Sequence, residues 1–175
     1  MSFLNPEGIL QETGIFQPGM KVGDFGCGAG YFSLPLAKMV GESGHVFAID
    51  VLQSALDALS QKASLAHIDG IITPIRANLE KAGATNIPNA SLQVVVLANI
   101  LFQSDEKEAI IKEAKRVLEP RGFLIVIDWN PDAPLGPKGY NVSKDEITGL
   151  ASHAGFSVKR EFPVDAYHYG LLFSL

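Results

Sequence analysis

Short apolar runs alternate along this chain with segments whose apolar positions recur every three or four residues. Met20–Gly26, His45–Asp50, Ile71–Arg76, Leu92–Ala98 and Phe123–Trp129 read as strands, and Tyr31–Val40, Leu52–Ala66 and Asp105–Leu118 as the helices between them. Strands as apolar as LQVVVLA and FLIVIDW are covered on both faces, so the sheet is expected to be mainly parallel with helices on each side. A short helix precedes it: Asn5 is the cap, Pro6 and Glu7 form the first turn and Gly14 ends it. The alternation stops after Trp129. The Pro/Gly-rich stretch 130–141 reads as a loop, and Ser143 with Glu146 forms a capping box for a helix reaching Ala154. Phe156–Val164 and His168–Leu175 are separated only by Asp165-Ala166-Tyr167, too few residues for a crossover, so these last two strands must be antiparallel. The expectation is an α/β, doubly wound, seven-stranded sheet, mainly parallel with an antiparallel C-terminal hairpin strand.

Composition narrows the setting. A chain of 175 residues with 47% hydrophobic and 19% charged residues suits one compact domain over residues 1–175. The net charge of −5, with acids and bases interspersed, provides no basic face for a phosphate backbone and argues against nucleic acid as partner. One cysteine, Cys27, cannot form an internal disulfide. The start MSFLNPEGIL lacks the features of a signal peptide, and no apolar run is long enough for a membrane span, so the cytoplasm is the expected location.

The stretch VGDFGCGAGYF, residues 22–32, places three glycines between the first strand and the first long helix, at the carboxyl edge where open α/β sheets bind ligands. A dinucleotide fingerprint requires G-x-G-x-x-G, but Tyr31 stands where its third glycine belongs. A phosphate-binding loop requires a following Gly-Lys-Ser/Thr, which is missing. The pattern is instead acid-x-G-x-G-x-G, starting at Asp24. The second strand ends in an acid, Asp50, 22 positions beyond Gly28, and two carboxylate oxygens there can accept both hydroxyls of a ribose.

This pattern resembles motif I of class I S-adenosylmethionine-dependent methyltransferases. HVFAID, NASLQVVVLANILFQ and RVLEPRGFLIVIDW resemble the family's second-strand, fourth-strand and fifth-strand motifs in order, and the terminal hairpin suits its Rossmann-like fold. The resemblance covers the chain from about Gly19 onward, and within the family it points to the quinone-biosynthesis C-methyltransferases and arsenite methyltransferases. An arsenite enzyme needs several cysteines, which this chain lacks. The resemblance implies S-adenosyl-L-methionine as cofactor. Gly26, Cys27, Gly28 and Gly30 would bring backbone close to its methionine part, with Asp24 holding the ammonium group. Asp50 with Val51 would bind the ribose, Asn78 the adenine amine through its carbonyl oxygen, and Leu79 the adenine ring through its backbone amide. Asn99 would lie under the methionine moiety, and Phe102, Tyr31 and Trp129 would turn aromatic faces to the sulfonium and the substrate. The chain departs from the family at Gln93, where an acid is usual, and at Phe102-Gln103, where branch members often carry a histidine.

Methyl transfer from a sulfonium is chiefly a matter of alignment, so a base is needed only if the acceptor must lose a proton. Asp128 and Tyr140 are the candidate catalytic residues for that step. Cys27 reads as a small buried residue rather than a nucleophile, His153 as a partner of its helix C-terminus, and His45, His67 and His168 show no metal-ligand spacing, so no metal is expected. A small-molecule acceptor fits best, with little chain before the first strand to cap the site and the loop 130–141 as a candidate lid. A silent cofactor-binding protein, a methyltransferase acting on protein or RNA, and a homo-oligomer remain open.

Overall fold

The computed structural model describes residues 4–137 and 142–175. Seven strands form one sheet in the order β3-β2-β1-β4-β5-β7-β6. They are β1 (Lys21–Phe25), β2 (His45–Asp50), β3 (Ile72–Arg76), β4 (Leu92–Ala98), β5 (Leu118–Trp129), β6 (Ser157–Pro163) and β7 (His168–Ser174). Neighbouring pairs from β3 to β5 are parallel, whereas β7 runs antiparallel to both β5 and β6. This is the sheet anticipated from the sequence.

The helices are α1 (Pro6–Thr13), α2 (Ser33–Val40), α3 (Gln53–Leu65), α4 (Lys107–Val117) and α5 (Lys144–Ala154). Their ends follow local chemistry. The Asn5 side chain accepts from the Gly8 amide and Ser143 from that of Glu146, caps worth about 1 kcal/mol each. Gly14 and Gly155 close α1 and α5 with φ of 68° and 97°. One apolar layer joins α1, α2 and α3 to the sheet face carrying Val22, Val94, Val96, Ile125 and Ile127. The opposite face, with Val95, Leu97, Leu124 and Val126, packs against α4 and α5.

Several boundaries differ from the sequence expectation, among them the start of α4 at Lys107 rather than Asp105, and two of the differences have a visible local cause. The Pro120-Arg121-Gly122 turn lies inside β5 rather than before it: β4 advances from Leu92 to Val94 while β5 advances from Leu118 to Phe123. The extra residues form a bulge in which Arg121 takes φ of 69°. α2 begins at Ser33, two residues late, because Gly30 at φ 88° and Tyr31 are still part of the turn leaving β1. β3 is the weak strand expected, an edge strand that tolerates Pro74.

Candidate active site

The carboxyl ends of β1, β2 and β4 open onto a cavity of about 620 Å³, within the size range of small-molecule sites. Its floor is the glycine turn. Gly26, Gly28 and Gly30 have φ of 79°, 51° and 88°, a region costly for other residues. A Cβ on Gly26 would come within 2.5 Å of Ile100 Cδ1 and one on Gly30 within 2.4 Å of Leu59 Cδ1, whereas one on Gly28 would meet nothing within 4 Å. Gly26 and Gly30 therefore serve close packing, and Gly28 leaves bare backbone facing the cavity.

The glycine amides of the turn, and that of Cys27, are already committed. Gly26 and Cys27 donate to Ile49 O at 2.8 and 2.9 Å, Gly30 to Cys27 O at 3.0 Å, and Gly28 to Asp50 Oδ2 at 2.8 Å. At its glycines the loop thus offers close approach rather than free donors. Asp50 Oδ1 also accepts from the Leu52 amide at 2.9 Å, so each carboxylate oxygen holds one backbone N–H and keeps acceptor capacity for a ligand.

Asp24 lies below this floor, 1% exposed, with Ser33 Oγ donating to its Oδ2 at 2.5 Å. Burial, opposed by Ser33 and reinforced by the charge of Asp50, pushes its pKa up to about 7. The Cys27 thiol is buried and pushed up strongly by the same desolvation, with Asp24 and Asp50 adding to it, which leaves it inert as a nucleophile.

The far wall comes from β3 and β4. Asn78 Oδ1 accepts from the Glu80 amide at 2.9 Å, an Asx turn that aims the side chain and leaves a lone pair. Glu80 in turn accepts from Ser104 Oγ at 2.7 Å, tying the loop after β3 to the short turn Leu101–Gln103. Asn99, at φ 54°, donates its amide to Ile127 O and accepts Gln103 Nε2 on its carbonyl, while its Oδ1 is buried with no partner. Asn99 itself does not line the cavity.

Of the residues expected from sequence, Gly26, Gly28, Asp50, Val51, Asn78 and Leu79 line the cavity together. Asp24, Cys27, Gly30, Asn99 and Phe102 stand behind or beside it. Tyr31 is half exposed, with its hydroxyl bonded to Leu4 O. Asp128 is fully buried, accepts from the amides of Trp129 at 2.8 Å and Phe102 at 3.2 Å, and is raised by burial to about 6 against those hydrogen bonds. In this position it anchors the Leu101–Gln103 turn. Tyr140 lies outside the described residues. Ile100, Gln103 and the Glu80–Ser104 bond were not anticipated as site features; Gln103 was noted only as a departure.

The bare backbone at Gly28, the Asp50 carboxylate and the Asn78 oxygen, gathered in one cavity, suit the donors and hydroxyls of S-adenosylmethionine in chemistry. Among the described residues no helix is long and apolar enough to cross a membrane. The sequence profile of the methyltransferase domain family matches residues 16–155. The chain is 31% identical over 127 residues to the ubiquinone/menaquinone biosynthesis C-methyltransferase UbiE of Shewanella sp. (strain ANA-3), covering 72% of this chain and 49% of that protein. It is 28% identical over 114 residues to the UbiE of Vibrio vulnificus (strain YJ016), covering 65% and 43%. The chain thus spans about half the length of the curated relatives it matches. The crystal structure of a SAM-dependent methyltransferase from Aquifex aeolicus superposes with a TM-score of 0.87 at 29% identity, covering 98% of this chain and 89% of that one. The chain belongs to the methyltransferase domain family, as a class I, S-adenosylmethionine-dependent member.

Proposed function

We propose that this protein methylates carbon on a hydroxylated, quinone-related aromatic small molecule. The observation that carries the cofactor half is Asp50, whose two oxygens are fixed by Gly28 and Leu52 and turned to the cavity beside bare glycine backbone. The acceptor half is supported by the likeness to ubiquinone/menaquinone biosynthesis C-methyltransferases, the aromatic Trp129 at the carboxyl end of β5, and the net negative charge.

When bound, S-adenosylmethionine supplies an electrophilic methyl group on a sulfonium that leaves as a neutral thioether. The protein's part is placement. Asp50 would hold the ribose and Asn78 the adenine amine. Asp24, behind the floor, would compensate the ammonium charge, and the Phe102, Tyr31 and Trp129 rings would border the reacting centre. Fixing two reactants in line is worth about 7–11 kcal/mol of barrier.

Thermal melts with S-adenosylmethionine, S-adenosylhomocysteine and NAD test the cofactor. A ligand at about 100 times its Kd adds about 2.7 kcal/mol, a rise of roughly 5–10 °C for a chain of this size. The rise should occur with both adenosyl compounds, not with NAD, and vanish in Asp50→Ala. Methyl-labelled cofactor offered with reduced quinones, total RNA and total protein then tests the acceptor. Label on RNA or protein but not on a hydroquinone would overturn the proposal.

A further inference from the structure

A second polar cluster lies at the same edge of the sheet, beyond the cofactor cavity. His168, the first residue of β7, is paired in register with Trp129, the last of β5, and their rings meet with centroids 4.1 Å apart. The imidazole Nδ1 sits 2.9 and 3.1 Å from the two carboxylate oxygens of Asp165. Asp165 Oδ1 also accepts from the amides of Tyr167 and His168, at 2.7 and 2.8 Å. Burial would raise this carboxyl, but the hydrogen bonds from His168 and the Tyr167 amide hold it below its ordinary range. It is therefore an acceptor, and Nδ1 must carry the proton.

In the neutral imidazole the other nitrogen then bears a lone pair, and among the described residues nothing takes it up. Nε2 is buried, in a residue only 2% exposed, without a hydrogen-bond partner among the described residues. Leaving a buried polar group unpaired costs a fold about 1–3 kcal/mol, so the arrangement calls for a reason. The imidazole borders a cavity of about 370 Å³ that Asn130, Phe162 and Lys144 also line. The other charged groups there are Asp165 and Glu161; Glu161 and Lys144 are bonded to each other at 2.6 Å and largely cancel. An imidazole with one nitrogen fixed by a carboxylate and the other bare is the arrangement of an oriented base.

Its place in the sheet suits that task. The carboxyl edge runs from the glycine turn after β1, past Asn99 after β4 and Trp129 ending β5, to His168. At ~4.8 Å per strand His168 lies roughly 10 Å along the edge from the end of β4. An aromatic ring fits across that interval, with one end toward the cofactor and a hydroxyl toward the imidazole. His168 and Trp129 also share the sheet face of Ile125, Ile127 and Leu172, whereas Asp128 points to the opposite face with both amide bonds made.

We propose that His168 Nε2 is the base that takes the hydroxyl proton of the methyl acceptor, with Asp165 as the residue that positions it. The O–H bond breaks, its electron pair stays on the acceptor as a phenolate or enolate, and the proton resides on the imidazolium until it passes to water after product leaves. The Trp129 indole shifts to admit the acceptor. This rests on the reading of a hydroxylated aromatic acceptor, and the experiment separates the two.

The full chain, labelled with 15N-histidine and saturated with S-adenosylhomocysteine, is observed by NMR, the His168 signals being assigned by their loss in His168→Gln. The expected tautomer of the neutral ring is Nδ1–H with bare Nε2; an Nε2–H tautomer overturns the proposal whatever the acceptor. 4-Nitrophenol is then added, since its anion absorbs visible light. Wild type should raise the bound anion fraction about tenfold over solution at a pH below the phenol's own pKa while Nε2 becomes protonated. His168→Gln should bind the phenol without ionising it, and Asp165→Asn, which keeps the imidazole, should lose most of the effect. Both variants must retain the S-adenosylhomocysteine melting shift, and if one does not fold the other decides. Equal ionisation in wild type and the folded variants overturns the role of His168 and leaves the acceptor class standing. Failure of every form to bind the phenol overturns both.

Discussion

Replacing Asp24 with Asn should separate what this carboxyl costs the fold from what it contributes to the cofactor. Asp24 is 1% exposed, and burial lifts its pKa from 3.8 to about 7. Below pH 3.8 native and unfolded chains both hold the proton, and the native state is not penalised. Between 3.8 and 7 the unfolded chain has released it and the native one has not, so stability falls as pH rises, by up to about 1.4 kcal/mol per unit. Above 7 the loss levels off near 4 kcal/mol. Between pH 5 and 8 the native state should lose roughly 2–3 kcal/mol through this group, or about 5–10 °C in Tm. Asn keeps the shape and an acceptor for Ser33 Oγ but cannot titrate. Urea unfolding of the ligand-free wild type and Asp24→Asn at both pH values measures the difference, which should move by roughly 2–3 kcal/mol in favour of the variant at the higher pH. S-adenosylhomocysteine should bind wild type more tightly as pH rises toward 7, because its ammonium favours the carboxylate, and bind the variant with no such trend. Parallel stability profiles for the two proteins would refute the burial argument, and parallel affinity profiles the link to the cofactor.

The glycine turn should show a split between folding and binding. Gly28→Ala, with open space around the new methyl group, should cost only about 1–2 kcal/mol of stability yet weaken S-adenosylhomocysteine at least tenfold, whereas Gly30→Ala, driven against Leu59, should cost more stability; melts and calorimetry distinguish them. Glu113 is 2% exposed and accepts from the Gly83 amide, Thr85 Oγ1 and Arg116. Burial alone would raise its pKa, but these partners hold it down to about 2. Its contribution is therefore present above pH ~4.5 and fades as pH falls toward 2, and Glu113→Ala should cost about 3 kcal/mol in urea unfolding at pH 7 by stranding Arg116.

Much of this architecture is written locally. β2 and β4 begin and end at the residues their apolar runs mark, because turn residues flank both. Gly28 and Asp50, 22 residues apart, could be paired from spacing alone since consecutive strand ends in such a sheet are neighbours. Other features depend on partners far along the chain. A Pro-x-Gly sequence reads as a turn, and only the pairing of Leu92 with Leu118 shows that β5 has already begun. Nothing in the sequence indicates that the glycine amides are consumed by Ile49, Cys27 and Asp50. Asp128 and Trp129 look alike as neighbours ending a strand, yet strand parity sends one to each face, so the acid pins a turn while the indole meets β7. Asp-x-x-His is a common spacing, and it acquires meaning only once β7 is set beside β5.

The position of β7 also bears on how the molecule assembles. It follows β6 in sequence yet lies inside the sheet, with all seven of its residues buried and its pairs with β5 separated by 39 residues or more. β6 cannot reach the sheet without it. The β6–β7 hairpin closes through a short connection and is quick to form, so the last event should be its docking as a preformed unit onto β5. Until then β5 presents an apolar, hydrogen-bonding edge to any other chain, and crowding during synthesis would meet this protein at that strand first.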